Sequence, residues 1–275
     1  MGCSMMKHRY DRPNVKYITK QWVHENCKTI TTRDIGLLKL LYENKRRLLR
    51  RDQIERLYPV FESTKVLNRR LKFLFQKHVI DRIYPPVGLN QGSSQQHICL
   101  DRAGIILLEI DNYNKPIIYD EFHTRRLPLG WEHKVLINEY ECVLKNIDGQ
   151  LIKYIVEDPI PYNDTKLIPD IACVIRHDTK GYNLFLEIDL GTEDIPRVKE
   201  KLDNYKHLYL SEAWKSHPIC SIFKTKVFPK VLFFTKGVRR IKTLQEYTKE
   251  SSIQFRFYLH EQAKDILEKI KKTST

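Results

Sequence analysis

A chain of 275 residues with 41% hydrophobic content, 15 tyrosines and only 10 glycines is long enough for two cores, and is neither wholly disordered nor fibrous. Forty-eight Lys and Arg against 34 Asp and Glu leave a formal charge of +14, more than solubility requires; nucleic acid is the leading partner class, ahead of an anionic membrane surface. Six cysteines stand singly without CxxC or zinc spacing, no run reaches the roughly eighteen apolar residues of a membrane span, and Met1 to Lys7 has no signal-peptide core, so a cytoplasmic protein with reduced thiols and no membrane role is expected.

Residues 1–30 are polar, with Tyr17, Ile18, Trp22 and Val23 as the apolar cluster, and read as a flexible arm with one docked turn. Thr32 can cap a first helix carrying Ile35, Leu38, Leu41 and Tyr42. A short second helix runs from Arg51 to Tyr58 and stops at Pro59. Ser63 opens a third through His78, with Val66, Leu67, Leu71 and Leu74 as its buried stripe. Two strands, Val79 to Tyr84 and Gln96 to Leu100, enclose a polar loop, and Asp101 caps a further helix. Three helices followed by a hairpin make residues 31–110 a winged helix-turn-helix. Fourteen Lys and Arg against six Asp and Glu lie between Arg33 and Arg82. Lys45, Arg46 and Arg47 on the basic turn, with Lys65, Arg69, Arg70 and Lys72 on the third helix, are the candidate contacts to double-stranded DNA. The alternative for these residues is a solvated face of a protein-interaction module.

Residues 111–130 read as a linker, and 131–275 as a second domain. A helix from Trp131 to about Lys145 precedes a strand at Leu151 to Glu157, a loop with three prolines, a strand containing Asp170 and, after the turn at His177 to Gly181, a strand containing Glu187 and Asp189. A helix from Asp194 to Leu210, with Val198, Leu202, Tyr205 and Tyr209 as its stripe, leads to alternating strands and helices. The fold class is α/β, α+β overall: a meander of strands, then parallel crossovers.

In Leu184 to Leu190 the alternation places Phe185, Glu187 and Asp189 on one face. Two carboxylates about 7 Å apart repel by about 2 kcal/mol at an effective dielectric near 20. A divalent cation shared with Asp170 would relieve that repulsion, and so would basic side chains from a neighbouring element.

Pro169-Asp170 followed by Glu187-Ile-Asp189 resembles the metal site of the PD-(D/E)xK nuclease superfamily, the restriction-endonuclease-like fold. The resemblance implies Mg2+, with Mn2+ as substitute, held by Asp170, Glu187 and Asp189. The family's lysine stands where this chain has Asp189; Lys201, on the next helix, is the candidate replacement. From the preceding helix, Glu132 or His133 would add a ligand, with Glu139 and Glu141 also open. His133 is in line with Ile137, Tyr140 and Leu144, the pattern of a core histidine. More narrowly, the winged helix, Trp-Glu-His, Pro-Asp, Glu187-Ile-Asp189-x-Gly191-Thr192-Glu193, Lys201 and Tyr205 are similar to the replication-relaxation family of plasmids and other mobile elements, which implies a role in replication or DNA relaxation.

Two functions are therefore expected to compete. One is a metal-dependent DNA endonuclease or nickase using Asp170, Glu187, Asp189 and Lys201, supported by Glu132, His133 and Tyr205. The other is a non-catalytic, sequence-specific DNA-binding replication accessory or regulator, its acids salt-bridged to Arg197 and Lys201. A palindromic target would call for a homodimer, and a replication protein is the other partner considered.

Overall fold

The computed structural model describes residues 12–43, 48–85, 95–113, 130–147, 150–177, 180–223 and 227–269. The chain divides into two compact units, Met1–Asn138 and Glu139–Thr275.

In the first unit, α1 (Lys20–Asn26) is capped by Thr19, whose hydroxyl accepts from Trp22 N at 3.1 Å, and it buries Val23. The docked part of the expected arm is longer than one turn: Arg12 Nη1 lies 2.7 Å from Asp101 Oδ2. α2 (Thr32–Tyr42) is capped one residue earlier than expected, by Thr31, whose amide and hydroxyl both donate to Asp34 Oδ2 at 2.7 Å. After β1 (Leu49–Arg50) come α3 (Arg51–Leu57), α4 (Thr64–Gln76), β2 (Ile80–Ile83), β3 (His97–Leu100) and α5 (Arg102–Ile110). Ser63 caps α4 through Val66 N, as expected, and Leu67, Leu71, Leu74 and Phe75 fill its buried face. The sheet order β1-β3-β2 is antiparallel throughout, with Leu49 opposite Ile98 and Ile80 opposite Leu100. From α2 onward the order is helix, strand, helix, helix and two paired strands. β1 has no sequence signature of its own, since two residues are too short to alternate.

α6 (Trp131–Lys145) crosses the division between units. Its first two turns belong to the first unit: Gln53 donates to Val135 O and Asn138 donates to Leu48 O, both at 2.8 Å. Most of the expected linker at 111–130 lies outside the described residues.

The second unit continues with β4 (Leu151–Val156), β5 (Ile160–Tyr162), β6 (Thr165–Leu167), β7 (Ile171–His177), β8 (Lys180–Ile188) and α7 (Ile195–Ser211). Then come a 3-10 turn (Ala213–Ser216), β9 (Lys230–Thr235), α8 (Val238–Thr248), β10 (Phe255–Leu259), a 3-10 turn (His260–Gln262) and α9 (Ala263–Glu268). The three-proline loop contains the hairpin β5–β6, turned at Asn163, whose φ of 48° asparagine tolerates.

The main sheet has the order β10-β9-β8-β7-β4. Its β4, β7 and β8 run antiparallel, while β8, β9 and β10 run parallel, matching the expected meander and crossovers. This is the α/β arrangement anticipated for the second domain. β8 is paired on both sides, so Asn183 to Asp189 are all buried and alternation sorts them between two covered faces rather than between core and water. Phe185 packs with Val198, Leu202 and Tyr205 of α7 and with Val231 and Phe233 of β9. Full burial of each such side chain is worth about 1.5–3 kcal/mol, enough to fix α7 over the end of β8. On α7 the stripe closes with Leu208, fully buried, rather than Tyr209, which is 36% exposed.

Candidate active site

Asp170 immediately precedes β7, and Glu187 is the penultimate residue of β8. Because these strands are antiparallel neighbours with Ile171 opposite Leu186, the two acids are brought together at one end of the sheet. Ile188 N donates to Asp170 Oδ2 at 2.6 Å, which fixes the carboxylate and leaves Oδ1 directed elsewhere. Glu187 is fully buried. Its Oε1 accepts a short hydrogen bond from Tyr205, and its Oε2 contacts the ammonium of Lys201. Lys201 Nζ also stands 4.0 Å from Asp170 Oδ1. Lys201 and Tyr205 are four residues apart on α7, so one helix face delivers both groups.

Burial pushes the Glu187 carboxyl up to about 8; the Lys201 charge opposes this shift and the Asp170 charge adds to it. Lys201, where burial works the other way, is nevertheless held above its ordinary value by Asp170 and Glu187. Burial raises Tyr205 well above the usual phenol range, and the charge of Glu187 raises it further. Tyr205 is thus a hydrogen-bond donor that keeps its proton. The Lys201 side chain retains 31% exposure against 8% for Asp170 and 1% for Glu187, so the cluster opens to solvent along the lysine.

Asp189 departs from its expected role as third ligand. It lies beyond the end of β8, where Oδ1 accepts from Gly191 N at 2.9 Å. Oδ2 accepts from Thr235 Oγ1 at 2.5 Å and from Arg240 Nε at 2.6 Å. Arg240 Nη1 continues to the carbonyl of Glu193 at 2.8 Å, and His260 Nε2 lies 2.9 Å from the Asp189 carbonyl. Its carboxylate is committed to these donors. The repulsion between Glu187 and Asp189 is relieved by a separate cation for each, Lys201 and Arg240, which is the second of the two solutions open in the sequence. Among the described residues, no group of three or more His, Cys, Asp and Glu is arranged to hold a metal.

Asp170 Oδ1 and Glu187 Oε2 are hard oxygens that converge on one positive group, the lysine ammonium. Two carboxylates, with water and phosphate oxygens completing the shell, fit Mg2+ by donor chemistry. Asp189 does not belong to that set.

Glu132 and His133 lie in the first turn of α6, within the first unit; Glu132 is exposed and His133 half-buried, on the side of buried Ile137, Tyr140 and Leu144. Glu141, on the part of α6 in the second unit, is fully buried. Arg197, offered as a salt-bridge partner for the acids, is exposed; Arg240 fills that part for Asp189. Arg240 and Thr235 were not apparent in the sequence, because 51 and 46 residues separate them from Asp189.

In the first unit, Lys65, Arg69 and Lys72 are exposed along α4. Arg70 is not available in the same way: its Nε donates to Asp34 Oδ1 at 2.7 Å, and its Nη2 bonds Asp34 Oδ2 and, at 2.8 Å, the Thr29 carbonyl. A buried carboxylate has drawn it into the unit. Lys45, Arg46 and Arg47 lie outside the described residues.

Among solved structures, the chain is similar to restriction endonuclease FokI bound to DNA, with a TM-score of 0.30 at 14% identity over 89% of this chain and 45% of that one. A second structure of restriction endonuclease FokI gives a TM-score of 0.33 at 14% identity, over 88% and 44%. The chain thus spans less than half the length of these proteins. No curated protein matches its sequence significantly. No helix among the described residues is long and apolar enough to cross a membrane. The replication-relaxation family matches residues 38–219, well over half of the chain, and the protein belongs to that family.

Proposed function

We propose that this chain is a DNA-binding protein of a plasmid or other mobile element, which acts in replication or relaxation by metal-dependent scission of a phosphodiester. The observation that carries the reading is the convergence of Asp170 Oδ1, Glu187 Oε2 and Lys201 Nζ at one solvent-reachable point. Asp170 and Glu187 are the residues that would hold Mg2+ or Mn2+. The cation would supply Lewis-acid stabilisation of charge on the phosphodiester and a more acidic water. Ile188 N and the Tyr205 hydroxyl orient the two carboxylates, and Lys201 places a positive charge beside the phosphate. Lys65, Arg69 and Lys72 on α4 are the phosphate-facing residues of the winged helix.

One observation favours a second reading, in which the protein is a DNA-binding replication accessory or regulator with a silent nuclease-like unit. Each acid of Glu187-Ile-Asp189 already has its own cation, so the repulsion between those two is relieved without a metal. Incubating the protein with supercoiled plasmid carrying the element's origin, in Mg2+ or Mn2+, separates the two. Nicking by the wild type and none by Glu187→Gln is expected; DNA binding without nicking would leave the second reading, and equal nicking by both would remove Glu187 from the chemistry.

A further inference from the structure

The cations of the second unit are unevenly placed. From Lys230 to Gln245 the chain carries Lys230, Lys236, Arg239, Arg240 and Lys242 and no Asp or Glu. Arg240 is spent on Asp189 and the Glu193 carbonyl. Lys230 lies over the Tyr182 ring. Lys236, Arg239 and Lys242 are exposed, and none of them forms an ion pair among the described residues.

Their position is tied to the carboxylate cluster through Asp189. Lys236 directly follows Thr235, whose hydroxyl donates to Asp189 Oδ2, and its Cβ stands 3.5 Å from where a side chain on Gly191 would begin. Arg239 directly precedes Arg240 in the first turn of α8. These cations therefore stand at the carboxyl ends of the parallel strands β8 and β9, the end from which Glu187 enters the cluster. The approach to α7, joined to α8 where Arg240 donates to the Glu193 carbonyl, exposes Glu193, Asp194 and Glu200 around Arg197 and is mixed in sign. Among the described residues beside the cluster, Lys236 to Lys242 present exposed cations with no acid between them.

We infer that this edge is a second DNA-backbone contact, made by Lys236 and Arg239 and continued by Lys242, which holds phosphates beside the carboxylate cluster independently of the winged helix. The Asp189–Arg240 pair fixes the turn that presents it. Unpaired like charges on one helix end repel one another, and a run of phosphates is the ligand that neutralises several at once. Mixed-sign surface elsewhere on the unit, such as Lys206 with Asp203 or Lys249 with Glu246, needs no such ligand.

The inference rests on the DNA-binding reading, and salt titration separates the two. Affinity of the whole chain for a linear duplex is measured by fluorescence anisotropy over a salt series for the wild type, Lys236→Ala with Arg239→Ala, Lys65→Ala with Arg69→Ala and Lys72→Ala, and all five changes together. Because the substituted side chains are exposed, circular dichroism should show each variant folded. Removing two phosphate contacts makes the slope of log affinity against log salt shallower by about 1.8. That change is expected in the α8 variant and again on top of the winged-helix variant. A wild type that binds DNA and an α8 variant with an unchanged slope would overturn the second contact and leave the winged helix standing. A wild type that binds no DNA at any salt would overturn both.

Discussion

Arg240 donates from Nε to Asp189 Oδ2 across 2.6 Å, joining the first turn of α8 to the residue just beyond β8. The arginine side chain is 13% exposed and the aspartate 3%, so the pair is largely removed from water. Breaking such a pair from one side strands the other charge, at a cost of about 3–5 kcal/mol. Asp189→Ala should lower unfolding stability by that order in denaturant titration while calorimetry still detects Mg2+ binding, whereas Asp170→Ala should abolish the binding heat. Loss of that heat in Asp189→Ala at unchanged stability would restore Asp189 as a ligand.

Burial is what lifts Glu187 to about 8 from its ordinary 4.5, with Lys201 opposing and Asp170 reinforcing the shift. A raised folded value means that the fold retains a proton the unfolded chain has released. Its contribution is therefore fully present below 4.5, declines as pH rises towards about 8, and is flat above that. Glu187→Gln cannot titrate, so its stability should decline less steeply across this window than that of the wild type, as read from urea midpoints at successive pH values. Parallel curves would show that Glu187 is ionised throughout.

Much of this architecture was readable because it is periodic. α4 shows a 3.6-residue stripe and a serine cap, α7 places Val198, Leu202 and Tyr205 in line, and β8 alternates strictly. The same periodicity put Lys201 and Tyr205 on one helix face, where they meet Glu187. What the sequence hid are pairings between distant segments. No spacing rule links Asp189 to Arg240 or Asp34 to Arg70, so Asp189 looked like a metal ligand and Arg70 like a DNA contact. Alternation also says which face a side chain takes and not where along that face a partner waits: Glu187 and Asp189 share a face yet answer to α7 and α8 respectively.

Asp34 is completely buried and bonded by Arg70 and Thr31. Burial alone would raise its carboxyl, but hydrogen bonds from Arg70 and Thr31, with the arginine charge, outweigh it and hold the group below its ordinary 3.8. A lowered folded value contributes stability that is fully present above 3.8 and lost as pH falls below 3.8 through the lower folded value. Arg70→Ala strands the carboxylate and should cost about 3–5 kcal/mol at neutral pH. Its acid unfolding, followed by circular dichroism, should also begin at a higher pH than in the wild type. An Arg70→Ala protein of wild-type stability whose DNA affinity is reduced would instead make Arg70 a DNA contact.

Gly104 lies within α5, where replacing glycine by alanine ordinarily gains about 1 kcal/mol in helix propensity. Here a Cβ would stand 2.2 Å from the carbonyl oxygen of Val79. That oxygen is not free to retreat: it accepts from Asp101 N at 3.1 Å, and the neighbouring His78 carbonyl accepts from Ala103 N at 3.0 Å. Overpacking against fixed backbone costs about 1–3 kcal/mol and outweighs the propensity gain. Gly104→Ala should therefore lower the melting temperature of the chain and loosen the junction of α5 with β2, read as faster amide hydrogen exchange at Asp101 and Ala103. A raised melting temperature would mean that α5 and β2 can separate by the necessary ångström without loss.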